Sequence, residues 1–132
     1  MTGIIIVVHA PLGEAMREFA VHVLGDAGNN MVVHDILASD MPEDLAPIVT
    51  RDICRADKGD GVLVLTDLIG ATPANIARLA VTNAQALGTQ CYVVAGLNTS
   101  MLLRALTSRN QGLEQVRSKA LAGGVQGCLQ VD

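Results

Sequence analysis

The sequence predicts an α/β fold: a doubly wound, mainly parallel four-stranded sheet of order 2-1-3-4 with helices on both faces. Two observations carry this expectation. Four apolar runs, at 3–8, 31–37, 62–66 and 91–95, alternate with segments of helical periodicity. The first and third of these are unbroken stretches of Val, Ile and Leu, the pattern of strands covered on both faces. The connections are short, so each strand–helix–strand passage makes a right-handed parallel crossover. No linker, repeat or low-complexity segment interrupts the 132 residues, which read as a single domain, 1–132.

The elements follow in order. After the first strand, His9-Ala10-Pro11 leads into a helix whose Leu12, Met16, Phe19 and Val23 recur at buried spacing, with Glu14, Arg17 and Glu18 opposite. Gly25 to Asn30 is turn chemistry and ends it. Ser39-Asp40-Met41-Pro42 followed by Glu43 and Asp44 reads as a helix start, with Leu45, Ile48, Val49, Ile53 and Ala56 as its buried stripe. Asp57-Lys58-Gly59-Asp60-Gly61 turns into the third strand. That strand ends in Asp67, passes Leu68-Ile69-Gly70-Ala71, and opens a helix in which Thr72 reads as N-cap and Pro73 as the first helical position. Gly88 ends this helix near residue 86, and the fourth strand closes on Gly96-Leu97-Asn98. Thr99 or Ser100 then caps a short helix to about residue 107, and 113–121 forms the last one before Gly123-Gly124 loosens the chain.

Composition narrows the function. The chain is half apolar but has one Phe, one Tyr and no Trp, so its core is aliphatic. A net charge of −4 and only Lys58 and Lys119 as lysines argue against a nucleic-acid surface. No run approaches the ~20 apolar residues that span a bilayer, which excludes direct membrane insertion. Cys54, Cys91 and Cys128 fall in no metal-binding spacing and read as small buried side chains in a reducing compartment. The expectation is a cytoplasmic protein.

The informative stretch is the loop after the third strand. In an order of 2-1-3-4 the first and third strands are neighbours at the topological switch point, where open α/β sheets place their sites. His9 and Asp67, which end those strands, should face each other there. A carboxylate holding one ring nitrogen fixes the tautomer, leaves a lone pair on the other, and stabilises positive charge developing on the ring. The backbone of Leu68, Gly70, Ala71 and Thr72, the Thr72 hydroxyl and the N–H groups of Ala74 and Asn75 would offer donors to phosphoryl oxygens at a helix N-terminus. The set suits a reversible phosphohistidine. The plain alternative is that His9 satisfies a loop carbonyl and Asp67 caps a turn; His22 and His34 have only such structural readings. No P-loop, dinucleotide-binding glycine motif or GxSxG elbow occurs, and His9 with Asp67 is too few ligands for a metal. A receiver-like domain phosphorylated on Asp67 would need acids after the first strand and a lysine near a later strand end; His9-Ala10 occupies the first place, and neither lysine fills the second.

The stretches 4–9, 59–75 and 95–98, with Met101-Leu102, resemble the mannose-type enzyme IIA domain of the bacterial phosphoenolpyruvate:sugar phosphotransferase system. The resemblance runs from Gly3 to about Leu106. It implies that His9 accepts a phosphoryl group from the phosphocarrier HPr and passes it to an enzyme IIB partner for carbohydrate uptake. It further implies that Asp67 hydrogen-bonds the imidazole and that Gly70 to Thr72 line the phosphate site. It requires no metal or organic cofactor. It also implies a homodimer in which a C-terminal strand, here Leu129-Gln130-Val131, exchanges onto the neighbouring sheet, and association with a permease complex. The alternative is a regulatory sensor of phosphorylation state with no sugar transport. The chain departs from the family pattern at Ala10 and Ala71, where Gly is common, and at Ala74, where an aromatic is common and whose loss is expected to alter a partner surface. It departs again at Thr99-Ser100, where Leu-Pro or Ile-Pro is common.

Overall fold

A computed structural model describes all 132 residues. Its elements run β1 (Gly3–His9), α1 (Leu12–Leu24), β2 (Val32–Ile36), α2 (Pro42–Ala56), β3 (Val62–Thr66), α3 (Thr72–Ala86), β4 (Cys91–Val94), α4 (Thr99–Thr107) and α5 (Leu113–Gln126). The four strands form one all-parallel sheet in the order β2-β1-β3-β4, as the alternation of elements predicts. No helix is long and apolar enough to cross a membrane.

The unbroken apolar runs are explained by the two faces they serve. Ile4, Ile6, Val8, Leu63 and Leu65 pack with Met16, Ala20, Leu102, Ala105, Val116 and Ala120, beneath α1, α4 and α5. Ile5, Val7, Val62 and Val64 face the other way, against Val49, Ile53, Ile76, Ala77 and Ala80 of α2 and α3. Strand side chains alternate faces, so a strand covered on both sides must be apolar at every position. Each buried Ile or Leu removed from water stabilises the fold by about 1.5–3 kcal/mol.

Several local expectations are corrected. Val23 and Ile48 are exposed at 48% and 41%; α1 buries Met16 and Ala20 instead, and α2 buries Ala46, Val49, Thr50 and Ile53. Helix α1 does end at Leu24 as expected, with Gly25 as its C-cap and a 3-10 turn over Gly25–Asn29. Helix α2 starts at Pro42 with no side-chain cap; the Asp40 carboxylate instead accepts the Leu37 N–H at 2.8 Å and shapes the loop before it. Ala71, not Thr72, is the N-cap of α3. Asn98, not Thr99 or Ser100, caps α4, its Oδ1 accepting the Met101 N–H at 2.9 Å. Helix α5 does not loosen at Gly123-Gly124 but runs through them, since both glycines are buried against α4. A Cβ on Gly123 would meet the Arg104 side chain at 2.4 Å and one on Gly124 the Met101 side chain at 2.8 Å. Close approach of α4 and α5 outweighs the low helix propensity of glycine here. Cys91 is buried and its thiol pKa is pushed up to about 11 by that burial, but Cys128 is exposed. Residues 128–132 follow α5 without regular structure.

Asn98 also donates from Nδ2 to the Gly124 carbonyl at 3.1 Å, so one side chain caps α4 and fastens α5. Asn98→Ala is expected to cost about 2 kcal/mol, a cap plus a hydrogen bond. An unchanged urea midpoint would contradict this. The Thr66 hydroxyl, at the end of β3, is buried with no hydrogen-bond partner. Replacing a buried unsatisfied hydroxyl by a methyl removes its desolvation cost. Thr66→Val is therefore expected to raise stability by about 1 kcal/mol, and a fall in the urea midpoint would refute the assignment.

Candidate functional site

The site is built where β1 and β3 end side by side. Val7 pairs with Thr66, so Asp67, one residue further along β3, and His9, two residues further along β1, emerge together at the carboxyl edge of the sheet. The Asp67 Oδ2 accepts both the His9 backbone N–H at 3.0 Å and the ring Nδ1 at 2.8 Å. Its Oδ1 accepts the Leu68 N–H at 2.9 Å. Burial alone would raise the Asp67 pKa, but the His9 N–H, the His9 ring and the Leu68 N–H outweigh it and hold the carboxyl below its ordinary value of 3.8. An ionised carboxylate only accepts hydrogen bonds, so the network assigns the ring proton to Nδ1. The lone pair is then on Nε2. The His9 side chain is 50% exposed and that of Asp67 only 13%, so the aspartate is held inside while the imidazole is open to solvent.

A cleft of about 410 Å³ lies beside it, lined by His9, Ala10, Ile36, Leu37, Ala38, Thr72 and Pro73. The start of α3 thus stands across from the imidazole. The donor set around it is narrower than the sequence suggests. The Leu68 N–H is committed to Asp67, that of Ala71 donates to the Leu68 carbonyl, and that of Asn75 to the Ala71 carbonyl. The N–H groups of Ile69, Gly70, Thr72 and Ala74 have no partner within the chain, nor does the Thr72 hydroxyl. Gly70 has φ +85, a left-handed turn that favours glycine. Ala71, with φ −86, sits in extended backbone open to any residue, so alanine there carries no conformational cost. Ala74 is buried at 2% exposure, so its small side chain bears on packing beneath α3 rather than on the expected partner surface.

Three supports escaped sequence reasoning. Asp35, on β2, caps α1 from a distance: its carboxylate accepts the Gly13 and Glu14 N–H groups at 2.6 and 3.0 Å. This fixes the helix that leaves the His9 loop, and the Ala10 N–H is tied to the Ile36 carbonyl at 3.0 Å. Gly96 and Leu97 donate to the Asp67 and Thr66 carbonyls at 2.8 and 3.0 Å, holding the end of β3 from the β4–α4 loop. The Ala95-Gly96-Leu97-Asn98 motif was the available signal for this last support; an acid within an apolar strand was the signal for Asp35. His34, read as structural, contacts Asp52 of α2 at 2.9 Å. His22 is exposed. No group of three or more potential metal ligands occurs anywhere in the chain.

Solved structures of phosphotransferase-system IIA components share this fold. The phosphotransferase system component EIIA from Streptococcus agalactiae superposes with a TM-score of 0.85 at 25% identity, over 98% of this chain and 97% of that one. The mannose/sorbose specific IIA subunit from Enterococcus faecalis gives a TM-score of 0.85 at 23% identity, over 99% and 95%. The PTS IIA protein associated with the fucose utilization operon of Streptococcus pneumoniae gives 0.76 at 18% identity, over 98% and 92%, a likeness of fold. The family model EIIA-man, described as PTS system fructose IIA component, matches residues 3–121. With the match covering nearly the whole chain, this protein is a member of the EIIA-man family of phosphotransferase-system IIA components.

Proposed function

We propose that His9 is the phosphoacceptor of a cytoplasmic phosphocarrier that takes a phosphoryl group from HPr and gives it to an enzyme IIB partner. The observation that carries this reading is the His9 Nδ1–Asp67 contact of 2.8 Å, which leaves Nε2 of the half-exposed ring as the nucleophile. In the forward step the bond from phosphorus to the carrier breaks as the P–Nε2 bond forms. The Nδ1 proton stays between ring and carboxylate, and Asp67 stabilises the positive charge that spreads over the imidazole. The unpartnered N–H groups of Gly70, Thr72 and Ala74 and the Thr72 hydroxyl are suited to the phosphoryl oxygens at the positive end of α3. Transfer to IIB is the reverse of this step on a different carrier. Protonation of Nε2 removes the lone pair, so attack requires the neutral ring.

A macromolecular partner is supported by the rim. Leu37, Leu68 and Ile69 are exposed at 58%, 62% and 79% around the cleft, an apolar border suited to a protein surface carrying its own reactive group. The test is phosphorylation by phosphoenolpyruvate, enzyme I and HPr, followed by addition of a purified IIB protein. An acid-labile, base-stable label that then leaves to IIB supports the reading; a hydroxylamine-sensitive label would move the chemistry to Asp67.

The same reading includes a homodimer. Strand β4 has no neighbour on its outer edge, and a cleft of about 660 Å³ beside it is bordered by Arg78, Tyr92 and Arg117. Residues 129–131 of a second copy, with Leu129 and Val131 exposed here at 69% and 93%, would add a strand there. Sedimentation of the full chain as a dimer, and of a chain ending at Gly127 as a monomer, is the expected result. A monomeric full chain would refute it.

A further inference from the structure

We propose that the amino-terminal rim of the sheet, opposite the His9 end, carries a site for a small oxyanion built on Arg109. Arg109 opens the short 3-10 turn Arg109–Gln111 between α4 and α5. Its side chain runs in beneath the first residues of β1 and the segment before β2. Nε donates to the Thr2 carbonyl at 2.9 Å, and Nη1 donates to the Asn30 carbonyl. The Arg109 carbonyl in turn accepts the Thr2 N–H at 3.0 Å. These bonds make position 109 a clasp that joins the turn between two helices to the start of the sheet. They account for two of its nitrogens. They do not account for its charge.

Arg109 is only 8% exposed, yet it takes part in no ion pair. Its Nη2 makes no hydrogen bond within the chain. Burial pushes the guanidinium pKa down from its ordinary value, as a cation without a counter-charge requires. The guanidinium borders a cleft of about 370 Å³ that is also lined by Lys58, Asn29 and Asn30. None of the lining residues is acidic, in a chain whose net charge is −4. Lys58 is exposed and has no ion pair either. The two acids nearest in sequence to Lys58 already have partners: Asp60 neutralises the ammonium of Met1, itself a lining residue of the cleft, at 2.6 Å, and Asp57 accepts the Gly59 and Gly61 N–H groups.

Two cations, Lys58 and Arg109 with its unspent Nη2, therefore line one cleft together with Asn29 and Asn30 and no acidic lining residue. The ligand class that satisfies them is an oxyanion, a phosphate or a carboxylate, with Nη2 giving the directional hydrogen bonds and Lys58 a point charge at the mouth. The cleft lies at the far end of the sheet from Asp67, so this site stands or falls independently of phosphotransfer at His9.

The experiment is a titration of the full ¹⁵N-labelled chain with inorganic phosphate, and in a second arm with acetate, at constant ionic strength set by sodium chloride. Saturable shifts of the Arg109 Nε–H and of the Asn29, Asn30 and Lys58 amides are expected. Saturation by phosphate alone assigns a phosphate-bearing ligand, and saturation by acetate as well assigns oxyanions in general. Lys58→Glu, at an exposed position that leaves the fold intact, should weaken binding at least about tenfold. Arg109→Lys keeps the charge and loses the planar fork, and should weaken it as well. Shifts that never saturate, shifts confined to residues 68–72, or unchanged binding by Lys58→Glu would each overturn the site and leave Arg109 a structural clasp.

Discussion

His9→Ala is expected to abolish phosphorylation by phospho-HPr while leaving the melting transition nearly unchanged. The imidazole is half exposed and its loss opens no internal cavity, so the fold has little stake in it. The chemistry has everything at stake, because a methyl group offers no nucleophile and no other histidine can stand in. His22 is on the outer side of α1, and the His34 ring is engaged with Asp52. Incorporation of label from phosphoenolpyruvate through enzyme I and HPr reads the result. A His9→Ala chain that labels at the rate of the unmodified one would remove His9 from the mechanism.

Asp67→Ala is expected to slow transfer by about a hundredfold or more without unfolding the domain, as for the loss of a preorganised electrostatic partner in a reaction that develops charge. Two effects combine. Without the carboxylate the proton distributes between both ring nitrogens, and the positive charge developing on the ring loses its counter-ion. The same substitution should change acid stability. The native Asp67 carboxyl titrates below 3.8, whereas in the unfolded chain it titrates near 3.9. The native state therefore favours the ionised form, and the resulting stabilisation is fully present above about pH 4 and fades as pH falls through the native value. Asp67→Ala should accordingly show a shallower loss of stability between about pH 4 and pH 2. Denaturant midpoints of the two chains across that range decide it: parallel acid limbs would mean that the hydrogen bonds at Asp67 do not favour its ionised form.

How much of this was legible before the structure differs from feature to feature. The parallel sheet and its order were legible because two strands covered on both faces must be apolar throughout, and Ile4 to Val8 and Val62 to Leu65 satisfy that without exception. The pairing of His9 with Asp67 was legible because both end strands that such an order makes neighbours. The caps were not. Ser and Thr near a helix start are common, and the sequence cannot say whether Asn98 or Thr99 has the non-helical backbone that a cap needs. Gly123-Gly124 misled for a related reason: glycine breaks an isolated helix, but in α5 a neighbouring helix occupies the space a Cβ would fill. The donor set of the loop was overestimated because backbone N–H groups are spent by local turns, as Leu68, Ala71 and Asn75 are, and turn geometry is not written in residue type.

By itself the sequence determined the layer architecture, the element order and the meeting of His9 with Asp67, since periodicity and strand ends are local properties of the chain. Only the tertiary structure decided which ring nitrogen is free, that Asp35 caps a helix 22 residues away, and that Arg109 is buried without an acid. Those depend on contacts between segments far apart in sequence, where a few tenths of an ångström and the presence or absence of one carboxylate set the chemistry.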